Sequence, residues 1–369
     1  MDRRETERIL QAIRRARATG ERVALATVVR VRGSAYRREG ARILVRADGT
    51  YECLLSGGCL EPAVVEAASR VIAGGDPVIV SYDLEEDSLW GLGIGCSGAV
   101  DIRIERLEDD AITDAWLAML EEGAAGTLVT PLAGATGRLL VTAHGTRGSL
   151  GSYALDALAA LAAGARSARA HPHSGAEAIA GAELFFELSL PPPRLIVFGA
   201  GHDAVPLAGH GRALGFDVTV VDVREAFLVR ERFPGAMLVA AHYSSFPEQL
   251  TLDARSFVVV MNHHLERDRE SLRFALASDA PYIGLLGPRS RFEKLLSALR
   301  ARGEDPGAQV LARVRNPVGL ALGAETPEEI ALSILGEVTA LRRGFDAGFL
   351  NGRDTSLHLP SDTRAFARS

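Results

Sequence analysis

The sequence predicts an α/β protein in two parts, a mixed α+β domain followed by a Rossmann-like, doubly wound parallel sheet. Three observations predict it. From Arg194 onward, short β-branched runs alternate with stretches long enough to hold crossover helices. The first of those runs, Leu195-Ile196-Val197-Phe198, leads directly into Gly199-Ala200-Gly201. Just upstream stands Pro191-Pro192-Pro193, which can continue neither a helix nor a central strand and so makes a stiff connector. The expected domains are residues 1–190 and 191–345, with 346–369 as a flexible tail.

In the first part, Ile9, Leu10 and Ile13 give residues 5–17 the spacing of a short amphipathic helix. Val23–Arg32 and Ala41–Arg46 read as strands, and Asp48-Gly49 as a hairpin turn after them. Ser56-Gly57-Gly58-Cys59-Leu60-Glu61-Pro62 opens a helix that runs to about Ala73. Strands are expected at Pro77–Tyr82 and Val100–Glu105, on either side of a second glycine-rich loop, Gly91–Gly98. A helix over Asp114–Glu122, paired strands at Thr127–Pro131 and Arg138–Ala143, a helix over Gly148–Ala170, a loop to Gly181 and a strand at Glu183–Leu190 complete it. In the second part strands fall at Leu195–Phe198, Val218–Asp222, Met237–Ala240, Phe257–Met261 and Tyr282–Leu286. Thr326-Pro327-Glu328-Glu329 is a capping box that starts the last helix.

Composition narrows the function. Of 369 residues 47% are hydrophobic and 24% charged, the balance of a globular protein. The net charge of −6, with Lys294 the only lysine, argues against non-specific nucleic-acid binding, which needs a net basic face. No apolar run reaches about 18 residues, so no membrane span is expected. Met1–Arg17 lacks the apolar stretch of a signal peptide, and three cysteines cannot frame a chain of this length. The expected place is the cytoplasm with thiols reduced, and a homodimer is the default assembly.

The turn after the first C-terminal strand has the chemistry of an anion site. Gly199 permits the tight strand-to-helix turn, Gly201 lets a pyrophosphate approach the backbone, and small Ala204 lets helix and strand pack closely. His202 stands at its lip. Asp222 follows Gly201 by 21 residues, where an acid reaches a ribose hydroxyl. Two further loops leave the same end of the sheet. Asn262-His263-His264-Leu265-Glu266-Arg267-Asp268 offers His263 with Asp268 as a speculative metal pair, and Gly287-Pro288-Arg289-Ser290-Arg291 offers a second anion site.

Two of the three thiols lie in glycine loops. Cys59 stands where a loop enters a helix, whose dipole favours negative charge on a nearby sulfur. Cys96 lies in the denser Gly91-Leu92-Gly93-Ile94-Gly95-Cys96-Ser97-Gly98. Glycines at that density cost backbone entropy, which fits a loop that something approaches closely. Cys53, in the strand reading Tyr51–Leu55, is expected to be structural.

Taken together these motifs resemble the XdhC/CoxI family, the accessory proteins of xanthine dehydrogenase and related molybdenum hydroxylases. The likeness is carried by Leu25-Ala26-Thr27-Val28-Val29, Gly40-Ala41-Arg42, Gly57-Gly58-Cys59-Leu60-Glu61 and Gly93-Ile94-Gly95-Cys96 in the first part. In the second it is carried by Phe198-Gly199-Ala200-Gly201-His202, Val221-Asp222-Val223-Arg224, His263, Asp268 and Tyr282–Gly287. It implies a protein that binds the molybdenum cofactor, guards it during sulfuration by a cysteine desulfurase-type donor, and delivers it to a hydroxylase such as xanthine dehydrogenase. On that reading Cys59 and Cys96 face the molybdenum. Gly57, Gly58, Glu61, Gly95 and Arg42 shape the cofactor site, and Gly199, Gly201, His202, Asp222, Gly287 and Arg289 hold phosphate. Ser56, Ser97 and Tyr36 depart from the family pattern, where glycine, glycine and proline are usual. The alternative is an NAD(P)-dependent oxidoreductase that uses Gly199, Gly201 and Asp222, with His263 as general acid.

Overall fold

Buried Ile9, Leu10, Ala12 and Ile13 lie on one side of α1 (Arg3–Thr19) and set it against the first unit of the chain. The computed structural model describes residues 3–83, 98–169 and 171–351. Two compact units are present, one ending at Pro191 and one spanning Pro192–Phe349.

The first unit begins with β1 (Val23–Gly33), β2 (Arg42–Arg46), β3 (Tyr51–Glu52), α2 (Glu61–Ile72), β4 (Val78–Asp83) and β5 (Gly98–Arg106). Their strands form an antiparallel sheet in the order β3-β2-β1-β5-β4. Alternation along β1 decides its packing. Ala24, Ala26 and Val28 join Val64, Ala68 and Val71 of α2 in one core, while Leu25, Thr27 and Val29 face a second sheet. After α3 (Ala111–Glu121), that sheet is built from β6 (Gly126–Ala133), β7 (Arg138–Thr142), β8 (Gly145–Ser149), β9 (Gly175–Ile179) and β10 (Ala182–Ser189), with α4 (Tyr153–Ser167) between β8 and β9 in sequence. Its order is β8-β7-β6-β10-β9. Leu155, Ala159 and Ala163 of α4 cover its outer face at Val129, Leu184 and Phe186. The layers run helix, sheet, sheet, helix.

Charge is buried between the two sheets. Arg42 of β2 is turned inward, its side chain 3% exposed, and pairs with Glu187 of β10. The guanidinium lies 5.1 Å from the centre of the Trp116 ring, and the Trp116 indole donates to Glu187 at 3.1 Å. A buried pair like this is costly to break from one side, because the survivor stays charged and without a partner.

The second unit contains β11 (Arg194–Phe198), α5 (Ala204–Ala213), β12 (Asp217–Asp222), β13 (Met237–Ala240), α6 (Phe246–Gln249), β14 (Ser256–Val260), α7 (Leu265–Leu276), β15 (Tyr282–Leu285), α8 (Arg289–Arg300), α9 (Ala308–Leu311), β16 (Val314–Arg315) and α10 (Pro327–Arg343). All six strands are parallel, in the order β13-β12-β11-β14-β15-β16, so the chain reverses direction across the sheet between β11 and β14. On one face α5 and α10 cover Leu195, Val197, Val220 and Val259. On the other, α6, α7 and α8 cover Ile196, Phe198, Val258 and Val260. The capping box at Thr326 is formed as the sequence predicts. Three strands escape the sequence reading: β8, within the expected start of a helix; β9, within an expected loop; and two-residue β16 at the sheet edge.

Removing Glu187 tests the buried pair. Glu187→Ala should destabilise the first unit by about 3–5 kcal/mol, and Arg42→Met with Glu187→Leu should recover most of that loss. Urea unfolding followed by tryptophan fluorescence reads both; a loss below about 1 kcal/mol for the single variant would show that the pair carries no such weight.

Candidate functional site

Each unit holds part of the predicted site. In the first, the chain leaves β3 and closes into a loop around the Ser56 hydroxyl. Its Oγ accepts from the amides of Gly58 at 3.2 Å, Cys59 at 3.0 Å and Leu60 at 3.0 Å. It donates in turn to the carboxylate of Glu61 at 2.5 Å. Glu61, fully buried at the first position of α2, also accepts from the amides of Leu55 at 2.9 Å and Ser56 at 2.8 Å. Burial alone would push the Glu61 carboxyl up, but the hydrogen bonds from Ser56 and Leu55 outweigh it and hold the group below the ordinary glutamate range. The amides that would otherwise lack partners at the start of α2 are thus satisfied from within.

This closure turns Cys59 outward. The thiol is free and exposed, and Gly57 and Gly58 beside it are exposed too. Gly58 takes φ of 109°, a conformation that favours glycine, and no atom lies within 4 Å of where a Cβ would stand at either position. The loop is tied from beneath and open above. Cys53 is its opposite: 5% exposed, 3.7 Å from the Glu5 carbonyl, and pushed up to about 11 by burial, it is a structural thiol. Cys96 and Gly95 lie outside the described residues. The described chain resumes at Gly98, opposite Gly33, where Arg32, Arg30 and Ser81 hold the Asp101 carboxylate and Arg32 above all keeps it far below its ordinary range.

The predicted residues of the first unit therefore take different places. Gly57, Gly58 and Cys59 face solvent together. Glu61 lies beneath them as an anchor, and Arg42 is engaged by Glu187 between the sheets; to touch a ligand either would have to leave its partners.

In the second unit the glycine turn follows β11 as expected. Gly199 has φ of 113°, and a Cβ there would stand 2.5 Å from the Met261 carbonyl, so only glycine fits. Asp222, at the end of β12, points inward with its side chain 1% exposed. One carboxylate oxygen accepts from the Ala200 amide at 2.8 Å, and the Arg224 guanidinium closes on both oxygens at 2.8 and 3.0 Å. Burial opposes its charge, and the hydrogen bonds from Arg224 and Ala200 more than offset that. The acid expected to meet a ribose instead holds the glycine turn, and Arg224, two residues on, is a partner that the sequence motif does not announce.

The histidine loop also pairs differently from the expectation. His263, in the left-handed region at φ of 56°, sets Nε2 3.1 Å from Asp203, at the start of α5, and Cδ2 3.8 Å from the Cβ position of Gly201. Asp268 is buried and accepts from the Asn262 amide at 2.9 Å and from Arg291 at 3.0 Å. His263 and Asp268 thus serve different partners, and no cluster of three or more His, Cys, Asp or Glu that could hold a metal ion is formed among the described residues. His202 is exposed at the lip of the turn, next to half-buried Gly201. Gly287, φ 112°, is tied by the Asn316 side chain at 2.9 Å, and Arg289 is 67% exposed, resting on Phe292.

Fold and loop chemistry define a Rossmann unit joined to a two-sheet unit that presents a thiol. Comparison with known proteins makes this specific. Residues 195–338 match the family model described as the XdhC Rossmann domain, and residues 16–83 match that of the XdhC and CoxI family. A relative in Bacillus subtilis, named as a probable subunit of xanthine dehydrogenase, is 35% identical over 339 residues, 88% of this chain and 94% of the relative. The chain belongs to the XdhC and CoxI family. An Escherichia coli relative named molybdenum cofactor insertion chaperone PaoD is 25% identical over 90% of this chain and 88% of its own length. A crystal structure described as a xanthine dehydrogenase from Bacillus halodurans is 28% identical and superposes with a TM-score of 0.74, covering 90% of this chain and 95% of the other. No described helix is long and apolar enough to cross a membrane.

The Glu61 anchor has a pH signature. Its carboxyl lies lower in the folded chain than in an unfolded one, so the stability it contributes is full above about pH 4.3 and lost as pH falls through the folded value. Glu61→Gln should lower stability by roughly 1.5–3 kcal/mol at pH 7 and narrow the gap between variant and wild type at pH 3. Melts at both pH values measure this; an equal gap at both would remove the charged role given to Glu61.

Proposed function

We propose that this protein is a maturation factor for a molybdenum hydroxylase of the xanthine dehydrogenase type. It holds the molybdenum cofactor as cargo, shields it during sulfuration by a cysteine desulfurase-type donor, and passes it to the apo-enzyme. The observation that carries this reading is the Cys59 loop, a solvent-facing thiol on a backbone fixed by Ser56 and Glu61. The names of the Bacillus subtilis and Escherichia coli relatives support it.

Molybdenum is thiophilic, and a thiolate is a soft ligand able to hold and release it. Open space above Gly57 and Gly58 lets a bulky cargo approach the backbone without meeting side chains. With the amides of Gly58, Cys59 and Leu60 already satisfied by Ser56, the sulfur is the group the loop offers outward. Cys96 is proposed as a second contact from its glycine-rich setting in the sequence. Arg42 and Glu61 enter as supports of the site, through the buried pair and the loop anchor, and the glycine turn of the second unit is proposed for the cofactor's phosphate. The oxidoreductase alternative would need Asp222 to accept from ribose hydroxyls, and Asp222 already receives Ala200 and Arg224.

Purified protein mixed with free molybdenum cofactor should retain molybdenum near one equivalent through gel filtration. Cys59→Ala should retain about tenfold less while melting at the wild-type temperature, and Cys96→Ala is measured beside it. Retention by Cys59→Ala equal to wild type would take this thiol out of the site.

A further inference from the structure

The second unit contains a cavity of about 290 Å³ that the thiol chemistry does not use. That volume lies at the lower end of small-molecule sites. It opens where β12, β13 and β14 end, the edge at which open parallel sheets take ligands. Val221, Ala241 and Phe246 make its apolar floor, and Phe246 is itself fixed against Phe198 with ring centres 5.0 Å apart. Tyr243 gives an aromatic wall, braced by the His242 ring at 3.8 Å.

The polar groups around this floor are few and of definite kind. Asn262 spends its Nδ2 on Asp268 and Ser271, at 3.1 and 3.3 Å, which leaves its Oδ1 as an acceptor. His264 accepts from the Arg267 amide through Nδ1 at 3.5 Å, so its neutral ring carries the proton on Nε2, a donor. Arg267 lines the cavity half-buried, and its guanidinium has no ion-pair partner among the described residues. Two carboxylates lie nearby. Asp222 is closed by Arg224, and Glu266, 54% exposed, lies 3.7 Å from Arg269. The charge left to be met is the positive charge of Arg267.

We propose that this cavity binds a phosphorylated heteroaromatic molecule, a nucleoside monophosphate or a phosphorylated pterin, with its ring against Tyr243 and its phosphate at Arg267 and His264. The floor and wall suit a planar ring, Asn262 Oδ1 suits a donor on its edge, and an unpaired guanidinium favours an oxyanion. This differs from dinucleotide binding across the glycine turn, which relies on a free acid at the end of β12. The Asp222 carboxylate is not free, so a second nucleotide half adds little.

Calorimetric titration of the full chain with AMP, CMP, NAD, adenosine and 6-hydroxymethylpterin monophosphate tests the proposal. Saturable binding of a monophosphate below about 1 mM is expected, with adenosine at least about tenfold weaker than AMP if the nucleotide is the ligand, and NAD no tighter than AMP. The arm that binds, nucleotide or pterin, identifies the source of the heterocycle. Arg267→Ala and Tyr243→Ala should each weaken it by about tenfold, and Arg267→Lys should restore part of the loss. Cys59→Ala should bind these probes as wild type does, which separates this site from the thiol. No saturable binding of either monophosphate by folded wild type would overturn the proposal. So would adenosine binding as tightly as AMP where AMP is the better ligand, or no effect of Arg267→Ala.

Discussion

Glu61 has no exposed surface, yet it remains a carboxylate because two backbone amides and the Ser56 hydroxyl point at it. Three other loops are built on the same contact. Asp222 accepts from the Ala200 amide in the glycine turn, Asp268 from the Asn262 amide after β14, and Glu337 of α10 from the Gly319 amide at 3.0 Å. Burying a carboxylate is costly unless hydrogen bonds surround the charge, and amides without strand or helix partners need acceptors. Each requirement answers the other. The loop keeps one shape without apolar side chains of its own, and its outer surface is left free for a ligand.

This explains how glycine-rich segments can be both open and ordered. Gly57 and Gly58 contribute almost no packing, and a chain of such residues would ordinarily sample many conformations. Ser56 removes that freedom by gathering three successive amides on one oxygen. The serine that departs from the family's glycine pattern thereby acts as the cap of α2, with its hydroxyl directed into the loop. In the second unit Arg224 completes the arrangement by closing the acid that holds the turn, which makes Asp222 a structural group and moves the free positive charge to Arg267, at the next loop along the sheet edge.

Much of the fold was legible because its signals are local. Period-two alternation in Val23–Arg32, β-branched runs before each crossover, Gly199-Ala200-Gly201 after the first C-terminal strand and the capping box at Thr326 all depend on residues within one element. The missed strands lack that signal. Gly145-Thr146-Arg147-Gly148-Ser149 is wholly exposed on the edge of its sheet, with no buried face to impose alternation, and β16 has two residues. The glycine loop and its cysteine were readable as a site, but the partners of the charged groups were not. Arg42 and Glu187 are separated by 145 positions and Asp203 and His263 by 60, so nothing in either neighbourhood announces the pairing.

The same limit explains why charged residues proved harder to place than glycines and thiols. A glycine is chosen for the backbone angle at its own position, as Gly199 is by the Met261 carbonyl, and its sequence context carries that information. An arginine is defined by what lies across space. Arg42 looks like a phosphate ligand at the start of a strand, but a buried carboxylate on β10 takes its charge. Arg224 closes an acid two residues away, while Arg267, equally ordinary in sequence, is left without a counter-ion beside a cavity. Once the internal carboxylates have taken their partners, the residual unpaired charge marks where an external anion is needed. That criterion selects Arg267 over Arg42 and Arg224, and it rests on pairing in space rather than on any motif.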